Sequence, residues 1–303
     1  MVKNRFVLID AFALIHRAFH GIPPLTTKDG ELVNAVYGFT SALLSSIHNL
    51  EPEYLVTGFD LPKPTKRKLE YVEYKAHRAA PPDELISQIP FVKEVLKDFN
   101  IPIISSEGYE GEDVIATVVA KSKVKSQKSK EMEFIIVTGD MDTLQLIDKS
   151  TKVYSMARGV NQAAMYDIEK VKERYGLTPD QFVDFKALKG DASDNIPGVP
   201  GIGEKGASKL ISEYKNLDNL FKNIEKLSPK YQTLLKENKE QAYLSQKLSK
   251  ICSDAPIDFE LSSAKVSDYN KEKVIALFNK LGFKSLISRL PEATKPNQQA
   301  TLF

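Results

Sequence analysis

Nine acidic residues fall in five short groups, each at the end of an apolar run or beside a glycine: Asp10; Asp60; Glu110, Glu112 and Asp113; Asp140 and Asp142; Asp191 and Asp194. Carboxylates gathered in one crevice repel one another unless cations neutralise them. Oxygen donors without His or Cys suit hard ions such as Mg²⁺ or Mn²⁺ rather than zinc. Hard divalent ions held by carboxylates point in turn to phosphoryl chemistry, in which paired ions ~3.5–4 Å apart activate water and stabilise a leaving oxygen. Helix capping competes as an explanation for each acid taken singly, because the unpaired N–H groups and the dipole favour acids at helix starts. It explains the set less well.

The elements that would position these acids can be read from apolar periodicity. Phe6–Ile9, Tyr54–Phe59, Ile101–Ser105, Phe134–Thr138 and Val153–Met156 read as strands, and the first, second and fourth are near-continuous apolar runs suited to a buried parallel sheet. Helical spacing marks 33–50, 84–99 and 113–121. Alternation of this kind predicts an α/β fold with a mostly parallel central sheet and flanking helices. Asp10, Asp60 and Asp140 then follow three strand ends, where ligands bind in such sheets. After about Leu177 only helices are predicted, over 179–188, 204–214, 217–224, 229–238 and 271–281. Asp191 and Asp194, three apart, would share one side of a turn or first helical turn.

Two further segments carry binding chemistry. Pro197–Gly206 (PGVPGIGEKG) precedes an amphipathic helix; its glycines would let backbone N–H groups approach a phosphate, and the helix N-terminus adds a favourable dipole. Leu61–Ala80 holds six Lys or Arg against two acids and interleaves Tyr71 and Tyr74, a composition suited to single-stranded nucleic acid. A solvated helix face is the plainer alternative. His16 and His20 read as packing or surface. The lysine-rich run 121–130 reads as a solvated connection.

Composition narrows the remaining classes. The chain has 303 residues, 42% of them hydrophobic, enough for a real core, and a net charge of +2, so bulk charge does not select a partner. Cys252 is the only cysteine, which leaves no internal disulfide and no cysteine-built zinc site. No apolar run reaches the ~18 residues that span a bilayer, and no signal segment is evident, so a cytoplasmic protein without membrane association is expected. No nucleoside-triphosphate loop and no G-x-G-x-x-G after the first strand are present.

LIDAFALIHRAF around Asp10, FDLPKPTKR and EYKAHR from Phe59 to Arg78, GYEGEDVIA around Glu110, VTGDMDTLQL around Asp140 and GDASDNIPGVPGIGEKGA from Gly190 to Ala207 together resemble the 5′-nuclease domain of bacterial DNA polymerase I and its stand-alone relatives. The resemblance runs in order over roughly 5–290. It implies a PIN-like α/β core over 1–176, with a helical arch at about 61–85 that threads a 5′ single strand. It further implies a helical DNA-binding region over 177–290, with a helix-hairpin-helix at about 190–215; the polar, Pro-containing 291–303 is expected to be a flexible tail. It makes all nine acids metal-site residues for two or three Mg²⁺ or Mn²⁺ ions, and Arg67, Lys75 and Arg78 catalytic groups that steer or polarise the scissile phosphate. Lys66, Tyr74, Gly198, Gly201, Gly203 and Lys205 become DNA contacts, with K⁺ at the hairpin. The implied activity is hydrolysis of DNA at 5′ ends and 5′ flaps, for removal of RNA primers and flaps, by a monomer. Gln299–Phe303 resembles a peptide that docks on the bacterial sliding clamp, and a polymerase domain would be a partner if the chain is a fragment. One position departs: where relatives read E-A-D-D, this chain reads Glu110-Gly111-Glu112-Asp113. Two rivals stay open, a catalytically impaired module that binds branched DNA and an RNA-cutting relative of the same fold; the glycine hairpin favours DNA.

Overall fold

The computed structural model describes residues 4–125, 132–266 and 269–292. The strands among them are β1 (Asn4–Asp10), β2 (Tyr54–Gly58), β3 (Ile103–Ile104), β4 (Met132–Thr138), β5 (Thr151–Ser155) and β6 (Ala164–Tyr166). They form one sheet in the order β3-β2-β1-β4-β5-β6, parallel except for the antiparallel β6 at its edge. Side chains alternate across a strand, and β1 and β4 are apolar on both faces for that reason. Phe6 and Leu8 join Phe134 and Ile136 in one core layer, while Val7 and Ile9 join Ile135 and Val137 in the other. Full burial of each such side chain stabilises the fold by ~1.5–3 kcal/mol.

The helices of the first half are α1 (Ala11–Gly21), α2 (Asn34–Leu50), α3 (Lys66–Glu70), α4 (Asp83–Ile86), α5 (Ile89–Asp98), α6 (Gly111–Lys125) and α7 (Ile168–Tyr175). The helix expected over 84–99 is split, with Pro90 in the first turn of α5, where its missing N–H costs nothing. Chain order places β2 on one side of β1 and β4 on the other. This reversal opens a crevice beyond the carboxyl ends of β1, β2 and β4.

Later in the chain follow α8 (Phe182–Lys189), α9 (Glu204–Tyr214), α10 (Leu217–Lys222), α11 (Pro229–Glu237), α12 (Lys239–Ser249), α13 (Lys271–Leu281) and α14 (Lys284–Ile287). The helical region is not one packing unit. Leu210, Leu220, Leu235 and Ala242 share the core layer of Phe6, whereas Val274, Phe278, Phe283 and Leu286 of the last two helices return to the opposite layer, with Phe39 and Val92. Among the described residues no helix is long and apolar enough to cross a membrane.

The hairpin between α8 and α9 depends on glycine. Gly198 has φ +63°, and a Cβ there would lie 2.4 Å from the Gly190 nitrogen and 2.6 Å from the Lys189 carbonyl carbon. Backbone cannot yield as a flexible side chain would, so Gly198→Ala is expected to cost about 2 kcal/mol or more. Urea denaturation checks this, and an unchanged midpoint would contradict it.

Candidate active site

The crevice is built from residues that end strands and begin helices. Asp10 closes β1 and caps α1: its Oδ1 accepts from the Ala13 N–H (3.3 Å) and its Oδ2 from the Thr138 hydroxyl (2.7 Å). Asp60 follows β2, and its Oδ1 accepts from the Gly111 N–H at the start of α6 (3.1 Å). Asp140 follows β4 and caps the 3-10 turn Met141–Leu146 through the Asp142 N–H (2.9 Å). Capping and convergence therefore coexist, as the end of a parallel strand is also where the next helix starts.

Electrostatics show which of the acids act on one another. Burial, then Asp60, then Asp140 push Asp10 up to about 7. Burial and Asp140 push Asp142 up to about 6, against the pull of Lys186. Burial, with Glu110 adding, raises Asp60. Glu112 is held well above the ordinary range by burial, with Asp140 and Glu110 adding and Arg67 opposing. Four carboxyl groups of one crevice thus hold protons more tightly than in water, which is the electrostatic signature of a site that calls for cations.

A pH dependence follows. A carboxyl whose folded value is raised binds more protons in the native than in the unfolded state, so stability falls as pH rises from about 4 through about 7. In EDTA the melting temperature is expected to be higher at pH 5 than at pH 8, and Mg²⁺ should narrow the difference. Scanning calorimetry reads this; a melting temperature that rises toward pH 8 in EDTA would contradict it. Asp191 acts in a separate window: burial would raise it, but Lys186 and Ser193 bring it down to about 2, so its contribution is lost only between about pH 4 and 2.

Protein cations meet the remaining acids. Residues 61–85 comprise α3, a run of turns that folds down onto the crevice, and the start of α4. Lys75 Nζ lies 2.8 Å from Glu110 and 3.7 Å from Asp194, and Arg78 pairs with Asp194. Lys75 and Arg67 outweigh burial and hold Glu110 below its ordinary range. The Lys75 N–H donates to the Asp194 carbonyl (2.8 Å), and Asn195 Nδ2 to the Glu73 carbonyl (2.7 Å). Lys75 and Asn195 both adopt positive φ, 54° and 55°, so the two sides of this contact each carry backbone strain. Lys186, on α8, bridges Asp142 and Asp191. Among the described residues no three acid, His or Cys side chains are drawn close enough to hold a metal ion as they stand. The acids are spread among these ammonium and guanidinium partners.

Several of the expected site residues have protein partners of their own. Asp113 is a structural anchor: Arg67 Nη2 and the Cys252 N–H donate to its Oδ1, and Arg67 Nη1 and the Glu110 N–H to its Oδ2, which fills the four acceptor sites of a carboxylate. Arg67, 7% exposed, is committed to that pair, to Glu110 (3.2 Å), to Glu112 (3.5 Å) and to the Lys250 carbonyl (2.9 Å), so it fixes the base of the arch rather than facing a substrate. Tyr74 is turned away from the surface. It is 2% exposed, packs with Ile196 and Leu248, and donates its hydroxyl to Glu110 and Asp194. Gly198 does not offer its N–H to a phosphate, since that N–H donates to the Ser245 hydroxyl (3.0 Å). Gly201 and Gly203 are exposed, and Lys205 lines an open cleft of about 380 Å³ with Arg174, Ser208, Lys209 and Ser212. Lys66 is exposed, with its ammonium over the Tyr109 ring. His16 and His20 are exposed, their rings 4.5 Å apart. Cys252 is half-buried. Gln299–Phe303 lies outside the described residues.

Sequence reasoning missed Lys186, Arg174 and Lys209. A lysine amid FVDFKALK, five residues before Asp191, was the available signal for the first.

Comparison with known proteins agrees with this architecture. A family model for a 5′-3′ exonuclease N-terminal, resolvase-like domain matches residues 5–176, and one for a 5′-3′ exonuclease C-terminal SAM fold matches 177–272. Fold and matches define the class first: a resolvase-like α/β domain followed by a helical SAM-fold region. Within that class, the chain belongs to the 5′-3′ exonuclease family. It is 41% identical over 94% of its length to DNA polymerase I of Caldicellulosiruptor bescii, and 39% identical over 98% to DNA polymerase I of Bacillus subtilis. It spans about a third of the length of these relatives (33% of each). The fold is also that of bacteriophage T5 D15 flap endonuclease in a complex with DNA and metal ions (TM-score 0.65, 18% identity, 94% of this chain and 96% of that one). The catalytic core of Rad2 in complex with a DNA substrate shares it too (TM-score 0.57, 18% identity, 95% and 93%).

Proposed function

We propose that the chain is a structure-selective 5′-nuclease that hydrolyses DNA phosphodiesters at 5′ ends and 5′ flaps, in the cytoplasm, for removal of primers and flaps. The observation that carries this reading is the crevice itself. Asp10, Asp60, Glu112 and Asp142, which follow adjacent parallel strands or begin α6, are all raised from their ordinary values by burial and by neighbouring acids. An all-oxygen donor set under mutual repulsion fits hard divalent ions, Mg²⁺ or Mn²⁺. Asp10, Asp60, Glu110, Glu112, Asp140, Asp142, Asp191 and Asp194 would hold two or three such ions; Asp113 would not, because its acceptor sites are filled.

Bound there, divalent ions would supply activated water and charge neutralisation at the leaving oxygen. The chain's own part is to place the phosphate and balance its charge. Lys75 and Arg78, held over Glu110 and Asp194, are the cations positioned to transfer to a scissile phosphate that enters beneath the arch. Arg67 and Asp113 fix the base of that arch. Lys66 flanks the path of the single strand. Arg174, Lys205 and Lys209, which share one cleft with Glu204, together with the exposed Gly201 and Gly203, would meet the duplex backbone, and K⁺ would bind at the hairpin.

We divide the chain at 176/177 into a nuclease core and a helical DNA-gripping region, a division that the two family-model matches support. Clamp docking through Gln299–Phe303, a polymerase partner, which the polymerase I relatives support, and a monomeric state complete the reading. The test is cleavage of a 5′-labelled flap duplex, beside matched single-stranded DNA and RNA, in Mg²⁺, Mn²⁺ or EDTA. Ion-dependent incision of DNA near the junction is expected. Tight binding without incision would favour the impaired-module rival, and preferential cutting of RNA the other.

A further inference from the structure

One buried cation sits among the acids without belonging to the arch. Lys186 is 4% exposed, yet its ammonium meets two carboxylates that come from different parts of the chain: Asp142, in the turn after β4, and Asp191, at the start of the hairpin after α8. Asp140 is close enough to raise Asp142 further. Charge does not balance here, as one ammonium meets the two carboxylates of Asp142 and Asp191. The contrast with Arg67 is informative. Arg67 is a rigid planar fork that also holds a backbone carbonyl, which suits a permanent tie. Lysine is a point charge on a flexible stem, which suits a cation that can be exchanged for another.

We propose that Lys186 is a built-in counter-ion that competes with a divalent ion for the Asp142–Asp191 pair, so that entry of an ion into this half of the crevice requires the ammonium to withdraw. The inference rests on the metal-dependent reading above. It makes Lys186 a positioning residue, neither a ligand nor a group that touches the phosphate. Its consequence is a coupling between parts: Lys186 and Asp191 belong to the helical region and Asp142 to the sheet, so exchange of ammonium for a divalent ion changes what joins the two across the crevice. Removal of the ammonium should strengthen ion binding, which a residue that merely holds the fold together would not do.

The experiment is calorimetric titration of the whole chain with Ca²⁺, and separately with Mn²⁺, in the absence of DNA, comparing wild type, Lys186→Met and Lys186→Arg, with folding checked by circular dichroism. Lys186→Met is expected to bind Ca²⁺ about tenfold more tightly or more, because a competing unit charge is gone, and Lys186→Arg to stay within about threefold of wild type. Equal or weaker binding by Lys186→Met overturns the inference and leaves the metal reading standing. Absence of Ca²⁺ and Mn²⁺ binding in wild type and variants alike overturns both. Should Lys186→Met fail to fold, the lysine ammonium signals of ¹⁵N-labelled wild type decide. Saturating Mg²⁺ should shift or abolish the signal of Lys186, and an unchanged signal overturns the inference.

Discussion

Asp140→Asn is expected to leave the fold intact and to lower cleavage of a 5′-flap DNA by about 10³-fold or more. Separation of the two effects comes from the local geometry. Asp140 Oδ1 accepts from the Asp142 N–H, and an asparagine side-chain oxygen can accept the same bond, so the cap on the turn survives. What is lost is one negative charge at the centre of the crevice, where Asp140 adds to the field on Asp10, Glu112 and Asp142. Without that charge a divalent ion is held less firmly and the leaving oxygen is less well compensated. Single-turnover cleavage with saturating enzyme reads the rate, and the thermal melt reads the fold. A loss of less than tenfold, or a collapse of the melt, would remove Asp140 from the chemistry.

Arg67→Met carries the largest expected cost in stability, about 3–5 kcal/mol, the scale of breaking a buried ion pair from one side. The guanidinium is the shared partner of Glu110, Glu112 and Asp113, all buried or nearly so, and it ties α3 to the Lys250 carbonyl. Its removal leaves three carboxylates close together in a low-dielectric setting, while Lys75 reaches only Glu110 among them. Arg67→Lys should recover part of the loss, since a single ammonium cannot reproduce two parallel bonds to Asp113. Urea denaturation of both variants checks this; a cost for Arg67→Met below about 1 kcal/mol would contradict the anchoring role.

Much of this site was legible because parallel strands buried on both faces are written as unbroken apolar runs. Phe6–Ile9 and Phe134–Thr138 could hardly be anything else, and an acid at the end of each points to the same edge of the sheet. Other elements had no such signal. β6 is a three-residue antiparallel edge strand, too short for a period to show. α12 packs Ala242, Ser245, Leu248 and Ser249 inward, a stripe half of serine that looks like a solvated segment. Within the site, residue type announced charge without direction. Lys75 and Arg78 meet the acids, but the basic run alone could not reveal this, nor that Arg67 turns inward to Asp113 or that Tyr74 lies beneath the arch instead of on it. Such distinctions depend on which side of a short turn meets the hairpin at Asp194–Ile196, a contact between segments about 120 residues apart (|i−j| 120 for Tyr74 and Asp194). The Gly111-Glu112 departure is legible only in three dimensions. A Cβ at Gly111 would press on Asp60 Oδ2 at 3.2 Å, so the glycine lets that carboxylate settle on the α6 N-terminus beside the longer Glu112.

The central claim is that this crevice is completed by divalent ions, and the most direct measurement is anomalous scattering from crystals soaked in Mn²⁺. Peaks among Asp10, Asp60, Glu112 and Asp140, and near Asp142 and Asp191 with Lys186 withdrawn, are the predicted result. Crystals that bind Mn²⁺ only at surface carboxylates, with the Lys186 and Lys75 ion pairs unchanged, would contradict it.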